Sequence, residues 1–71
     1  MKHDFHMVIE RDEEGWLVGS VPALPGCHTQ AQTLDELRER MQEAIEGYLD
    51  TYGDDLALTE FVGIQKITIG A

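Results

Sequence analysis

The side chains of this 71-residue sequence that could do chemistry are three histidines, one cysteine and fourteen carboxylates. Two-metal phosphodiester cleavage needs several carboxylates converging from separate elements. Asp4 or Glu10 could supply one from an N-terminal strand and Glu36 or Glu43 another from a helix, but the C-terminal segment offers Gln65 and Lys66 where a third is wanted. The sequence therefore argues against a nuclease, and i,i+4 pairing on a solvated helix face accounts for the helical carboxylates. His3, His6 and the Cys27-His28 pair have the donor atoms of a metal site. Three positions apart on a strand, however, His3 and His6 point to opposite faces, so no metal is expected. A nucleophilic Cys27 would need a base and a lowered pKa. Five Lys and Arg against fourteen Asp and Glu leave a net charge of −9 with the histidines neutral, a field that raises a thiol pKa. Cys27 is expected as a small buried residue. No catalytic residue and no cofactor is expected.

The elements that would position these groups can be read from periodicity. From residue 3 to 11, Phe5, Met7 and Ile9 alternate with Asp4, His6 and Glu10, which predicts a half-buried strand. Asp12-Glu13-Glu14-Gly15 is polar and ends in glycine, so a hairpin is expected to turn there into a second strand over 16–21. Pro22-Ala23-Leu24-Pro25-Gly26 must be a shaped connection, because each proline fixes φ and removes a ladder donor. A short third strand over 27–31 follows. Thr33-Leu34-Asp35-Glu36 fits a capping box. Beyond it Leu34, Leu37, Met41, Ala44, Ile45, Tyr48, Leu49 and Tyr52 recur at helical spacing, predicting one amphipathic helix over 34–52 with Gly53 at its C-cap. Residues 61–69 are rich in β-branched side chains and predict a last strand. Its apolar positions change parity between Val62 and Ile64 on one side and Ile67 and Ile69 on the other, so either a bulge intervenes or both faces are covered. The fold class is α+β, a single β-β-β-α-β domain with an antiparallel sheet covered by one helix.

A domain of this size is marginal. At 8.0 kDa, folding hides only about 60% of the unfolded surface. About 100 kcal/mol of apolar burial meets a similar cost of ordering the chain. A homo-oligomer, dimer or tetramer, is therefore expected, with Val62, Ile64, Ile67 and Ile69 at the contact. The charge of −9 repels phosphate backbones and anionic membranes, so a basic protein is the natural partner, without direct nucleic-acid or membrane binding. One cysteine permits no internal disulfide, and no stretch approaches membrane-spanning length, which reads as cytoplasmic.

The run Val8-Ile9-Glu10-Arg11-Asp12-Glu13-Glu14-Gly15-Trp16-Leu17-Val18-Gly19-Ser20-Val21-Pro22-Ala23-Leu24-Pro25-Gly26-Cys27 resembles the signature of HicB-like antitoxins. An acidic hairpin, a Pro-x-Leu-Pro-Gly-Cys loop and a Thr-capped helix occur in this order, and the likeness spans residues 5 to 49. The resemblance implies a fold similar to a truncated ribonuclease H. It also implies a HicA-type toxin as partner, a small basic ribonuclease that the antitoxin holds inactive. The family often has Gly and an acidic residue before the capping Thr, where this chain has Ala31-Gln32. Many members append a DNA-binding domain, for which no room is expected after Ile69.

Asp12, Glu13 and Glu14 with Trp16 form the best interface candidate, charge for steering beside an aromatic anchor. The alternative is that the acids solubilise a turn and Trp16 packs under the sheet. Pro25 and Gly26 join the candidate surface as a rigid exposed loop that lowers the ordering cost of binding, or they serve only to shape the connection. The leading functional expectation is occlusion of a basic toxin's active or RNA-binding surface. The alternative is a stand-alone oligomeric protein- or ligand-binding module.

Overall fold

The computed structural model describes residues 4–53 and 59–70. Three strands, β1 (Val8–Arg11), β2 (Leu17–Ser20) and β3 (His28–Ala31), form an antiparallel sheet in the order β1-β2-β3, followed by one helix, α1 (Leu34–Tyr52). Leu17 pairs with Arg11 on one side and Ala31 on the other, and Gly19 with Ile9 and Thr29. That register sends Leu17, Gly19 and Ala31 toward the helix and Val18, Ser20, Glu10 and Gln30 away from it. The α+β class is as expected.

Thr33 caps α1. Its extended backbone (φ −128°, ψ 158°) leaves Oγ1 free to accept the Glu36 N–H at 3.2 Å, and its carbonyl accepts from Leu37 N–H at 2.9 Å. At the other end the Gly53 N–H donates to the Leu49 carbonyl with φ −53°, so the helix closes in the right-handed region without a left-handed cap. The helix rests on β3 and β2 and does not reach β1. Leu37 and Met41 are its buried residues, whereas Leu34 (59% exposed) and Tyr52 (52%), expected on the apolar stripe, project beyond the sheet at either end.

Two buried patches make the core: Leu17, Ala31 and Leu37 at one end, and Val21, Leu24, Cys27 and Met41 at the other. Met7 packs against both and joins them. Leu24, from the loop between two prolines, is among the most deeply buried side chains. Two consecutive turns aim it inward. Leu24 N–H donates to the Val21 carbonyl (3.0 Å), and Cys27 N–H to the Leu24 carbonyl (2.9 Å). Pro22 and Pro25 each occupy the second position of a turn, where φ is already set, and Gly26 (φ +82°) supplies the left-handed residue of the second.

Two expectations need correction. The first strand is shorter than 3–11: residues 4–7 carry no strand, and His3 lies outside the described residues. No strand forms at 61–69 either. Residues 59–70 have no ladder partner among the described residues, and Val62 (90% exposed), Ile64 (74%), Ile67 (80%) and Ile69 (92%) stand in solvent. β-Branched composition fits a side chain to a pleated sheet, but it supplies no edge to pair with.

Candidate functional site

The hairpin tip is built by Asp12. Its Oδ1 accepts the N–H groups of Glu14 and Trp16, both at 2.9 Å. Its carbonyl accepts from Gly15 N–H at 3.1 Å, and its own N–H donates to the Trp16 carbonyl at 2.9 Å. This is a type I turn closed by a left-handed Gly15 (φ +91°), the three-residue hairpin connection. Arg11 Nη1 adds a bond to the Gly15 carbonyl at 3.2 Å. The carboxylate of Asp12 is thus occupied in holding the turn, a role that its place in an acidic run concealed. Glu13 and Glu14 are exposed at the tip.

Trp16 lies opposite Asp12 and continues the row of Val18 and Ser20 on the sheet face away from the helix. It belongs to neither buried patch and is half-buried. Val8, Glu10 and Val18 share that face. An aromatic ring, two valines and an acidic rim therefore stand together on the side of the sheet that α1 does not cover.

Pro25 and Gly26 are exposed at the opposite end of β2, the far end from the hairpin tip, so the structure does not bring the two groups of candidate residues together. Their loop is held rigid from beneath by Leu24 and from the side by Tyr48, whose hydroxyl donates to the Pro25 carbonyl at 2.8 Å. The Tyr48 contact joins residues 23 apart, and no local pattern announces it.

The remaining chemical candidates fall to separate places. Cys27 is buried, with Sγ 4.0 Å from Met41 Sδ, and desolvation pushes its thiol pKa up. A protonated thiol packed on a thioether is a core group. His6 stacks on Phe61 (ring centroids 4.3 Å apart, planes 15° apart), and His28 Nδ1 lies 3.0 Å from the Gly26 carbonyl. Among the described residues no group of three or more His, Cys, Asp or Glu could hold a metal ion. Glu10 faces away from the helix, and Glu36 is ion-paired with Arg40, which also donates to the Gln30 carbonyl at 2.9 Å. The strand and helix carboxylates thus lie on opposite sides of the sheet and do not converge. No helix among the described residues is long and apolar enough to cross a membrane.

Comparison with known proteins gives one consistent family. Residues 5–67 match the HicB-like antitoxin of bacterial toxin-antitoxin systems. A UPF0150 protein of Archaeoglobus fulgidus is 52% identical over 65 residues, covering 92% of this chain and 93% of the relative. UPF0150 proteins of Synechocystis sp. (41% over 68 residues, 96% and 97% covered) and Thermotoga maritima (39% over 66 residues, 92% and 88% covered) are similar along nearly their whole lengths.

Proposed function

This chain belongs to the HicB-like antitoxin family of bacterial toxin-antitoxin systems, and we propose that it works as an inhibitor, binding a small basic toxin of the HicA type and covering its active or RNA-binding surface. Such occlusion asks no chemistry of the antitoxin, and its setting is the cytoplasm, where RNA is the target. The observation that carries the reading is the helix-free face of the sheet, where Trp16 stands outside the core beside the Asp12-Glu13-Glu14 tip. A desolvated aromatic gives an interface its anchor, and surrounding charge of one sign selects a partner of the other. The net charge of −9 adds long-range attraction for a basic protein. The Pro25-Gly26 loop, already rigid, forms a second contact at little ordering cost.

The test is kinetic, against any small basic protein encoded beside this chain's gene. Neutralising the tip as Asp12→Asn, Glu13→Gln and Glu14→Gln keeps an oxygen acceptor at position 12 and so keeps the turn. Association should slow, and its dependence on salt should flatten, since exposed charges are screened beyond about 8 Å at physiological ionic strength. Trp16→Ala should instead accelerate dissociation. Equal on-rates and equal salt slopes for wild type and the tip variant would reduce the tip to a solvated turn. Absence of any basic partner would favour the stand-alone module.

A further inference from the structure

We infer that the helix-free face of the sheet is a receptor for a single arginine side chain, its guanidinium lying against the Trp16 ring and forking onto the Glu10 carboxylate, with the Gln30 amide oxygen as a third contact. The inference rests on the reading of this face as the toxin-binding surface and adds to it the group that the partner must present.

The register brings the three residues together. Val18 is opposite Glu10 on β1 and opposite Gln30 on β3, so a carboxylate and an amide flank it on one face. Trp16 stands two residues before Val18 on the same strand and the same face, diagonal to both Glu10 and Gln30. Diagonal neighbours are about 7–8 Å apart, within the reach of aromatic and long side chains. The result is a notch with a half-buried apolar floor, Trp16 and Val18, between two exposed polar walls.

The chain itself leaves these groups available. Among the described residues Trp16 is hydrogen-bonded only through its backbone, at the Asp12 turn, and its ring belongs to neither core patch. Glu10 has no ion pair among them, and Gln30 is engaged only by its carbonyl, which accepts from Arg40. The three arginines are directed elsewhere: Arg11 to the Gly15 carbonyl, Arg40 to Glu36 and the Gln30 carbonyl, and Arg38 to the groove on the helix side. Asp12 differs from Glu10, because one of its oxygens already accepts two amides. Its charge still adds to the field beside Trp16.

The chemistry of the notch selects arginine. A guanidinium is flat and weakly hydrated and carries five N–H donors in a fixed fork, so its face can stack on an indole while its edge serves a carboxylate and an amide oxygen. A lysine ammonium is a strongly hydrated point charge and matches only the carboxylate. A nucleobase would also stack on Trp16, but the phosphate it brings is repelled by Glu10, Glu13, Glu14 and the net charge of −9.

The test titrates the isotope-labelled 71-residue chain with N-acetyl-arginine amide and, separately, with N-acetyl-lysine amide. The arginine compound should shift the Trp16 indole N–H and the backbone amides of Glu10, Val18 and Gln30 saturably, and bind at least about threefold more tightly than the lysine compound. Glu10→Gln should weaken it about fivefold or more, and Trp16→Leu should abolish the shift at Val18, both with helical circular dichroism unchanged. Glu43→Gln, which removes the same charge from α1, should leave the affinity as it is. Equal affinity for the two compounds overturns the proposal, as do shifts scattered over the acidic surface or indifference to Glu10→Gln. A basic toxin held with wild-type affinity by the Glu10→Gln chain would remove the arginine receptor and leave the antitoxin reading intact. An arginine-selective notch in a chain that inhibits no toxin would do the reverse.

Discussion

The two edges of the sheet are treated differently by the same chain. On the β3 side, α1 lies directly over the strand, Arg40 donates to the Gln30 carbonyl, and Ala31 and Leu37 are fully buried. On the β1 side the helix is absent, Ile9 is 44% exposed, and 59–70 stands away with its isoleucines in water. The difference teaches that one half of the molecule buries its own apolar side chains under the helix while the other half leaves them in water. Substitutions should then separate the halves by the size of their cost to folding, larger on the closed side than on the open one.

The largest effect is expected at Leu24, the loop side chain sealed against Val21, Cys27 and Met41. Leu24→Ala should cost about 3 kcal/mol, within the roughly 2–5 kcal/mol range of buried leucine truncations, read as a lower urea midpoint at unchanged slope. Ile9→Ala, on the open side, should cost less than half as much under conditions that keep the chain monomeric. Equal costs would break the comparison. Next come the backbone devices that hold the closed half. Gly26→Ala places a Cβ at φ +82° and should cost about 1–2 kcal/mol, and Thr33→Ala should cost about 1 kcal/mol through the lost cap to Glu36 N–H. Thermal midpoints check both.

A smaller, pH-dependent effect is expected from Cys27. Its folded pKa is raised above the ordinary 9.0, so the unfolded chain releases that proton first. The thiol's contribution to stability is therefore full below the ordinary value and is lost as pH rises through the raised one. Wild type should lose more stability than Cys27→Ala between neutral pH and pH values above 9.0, and alkylation of the folded thiol near neutrality should lag far behind that of urea-unfolded chain. The smallest effect on folding belongs to Glu13→Gln with Glu14→Gln, within about 0.5 kcal/mol of wild type. A large loss of stability there would mean that the tip serves the fold and not a partner.

Most of the closed half was legible in the sequence. Alternation located β1, though with too early a start, the turn-forming runs around Gly15 and Pro22 to Gly26 set off β2 and β3, and Thr33 with Glu36 marked the start of α1 to the residue. What escaped reading depended on contacts distant in the chain or on chemistry with two uses. Leu24 sits in a proline-bounded loop, where no period distinguishes a plug from a linker. Asp12 counted as charge, although its carboxylate is engaged by two amides. The strand expected over 61–69 failed for a physical reason: periodicity reports which side chains would be covered, whereas a strand exists only beside a neighbour, and 59–70 has no such neighbour within the described chain. Of the candidate site, the residues were legible but not their grouping, since the tip and the Pro25-Gly26 loop lie at opposite ends of β2.

Trp16 is the sole tryptophan, and its half-buried place on the helix-free face makes it an optical probe of that face in particular. Because its ring is outside both core patches, its emission is governed by the water over the sheet more than by the packing under the helix. A molecule that seats there should strip that water and move the fluorescence toward shorter wavelength while the helical ellipticity stays constant. Intrinsic fluorescence therefore separates occupancy from folding in the unlabelled wild-type chain, with no dye and no engineered residue.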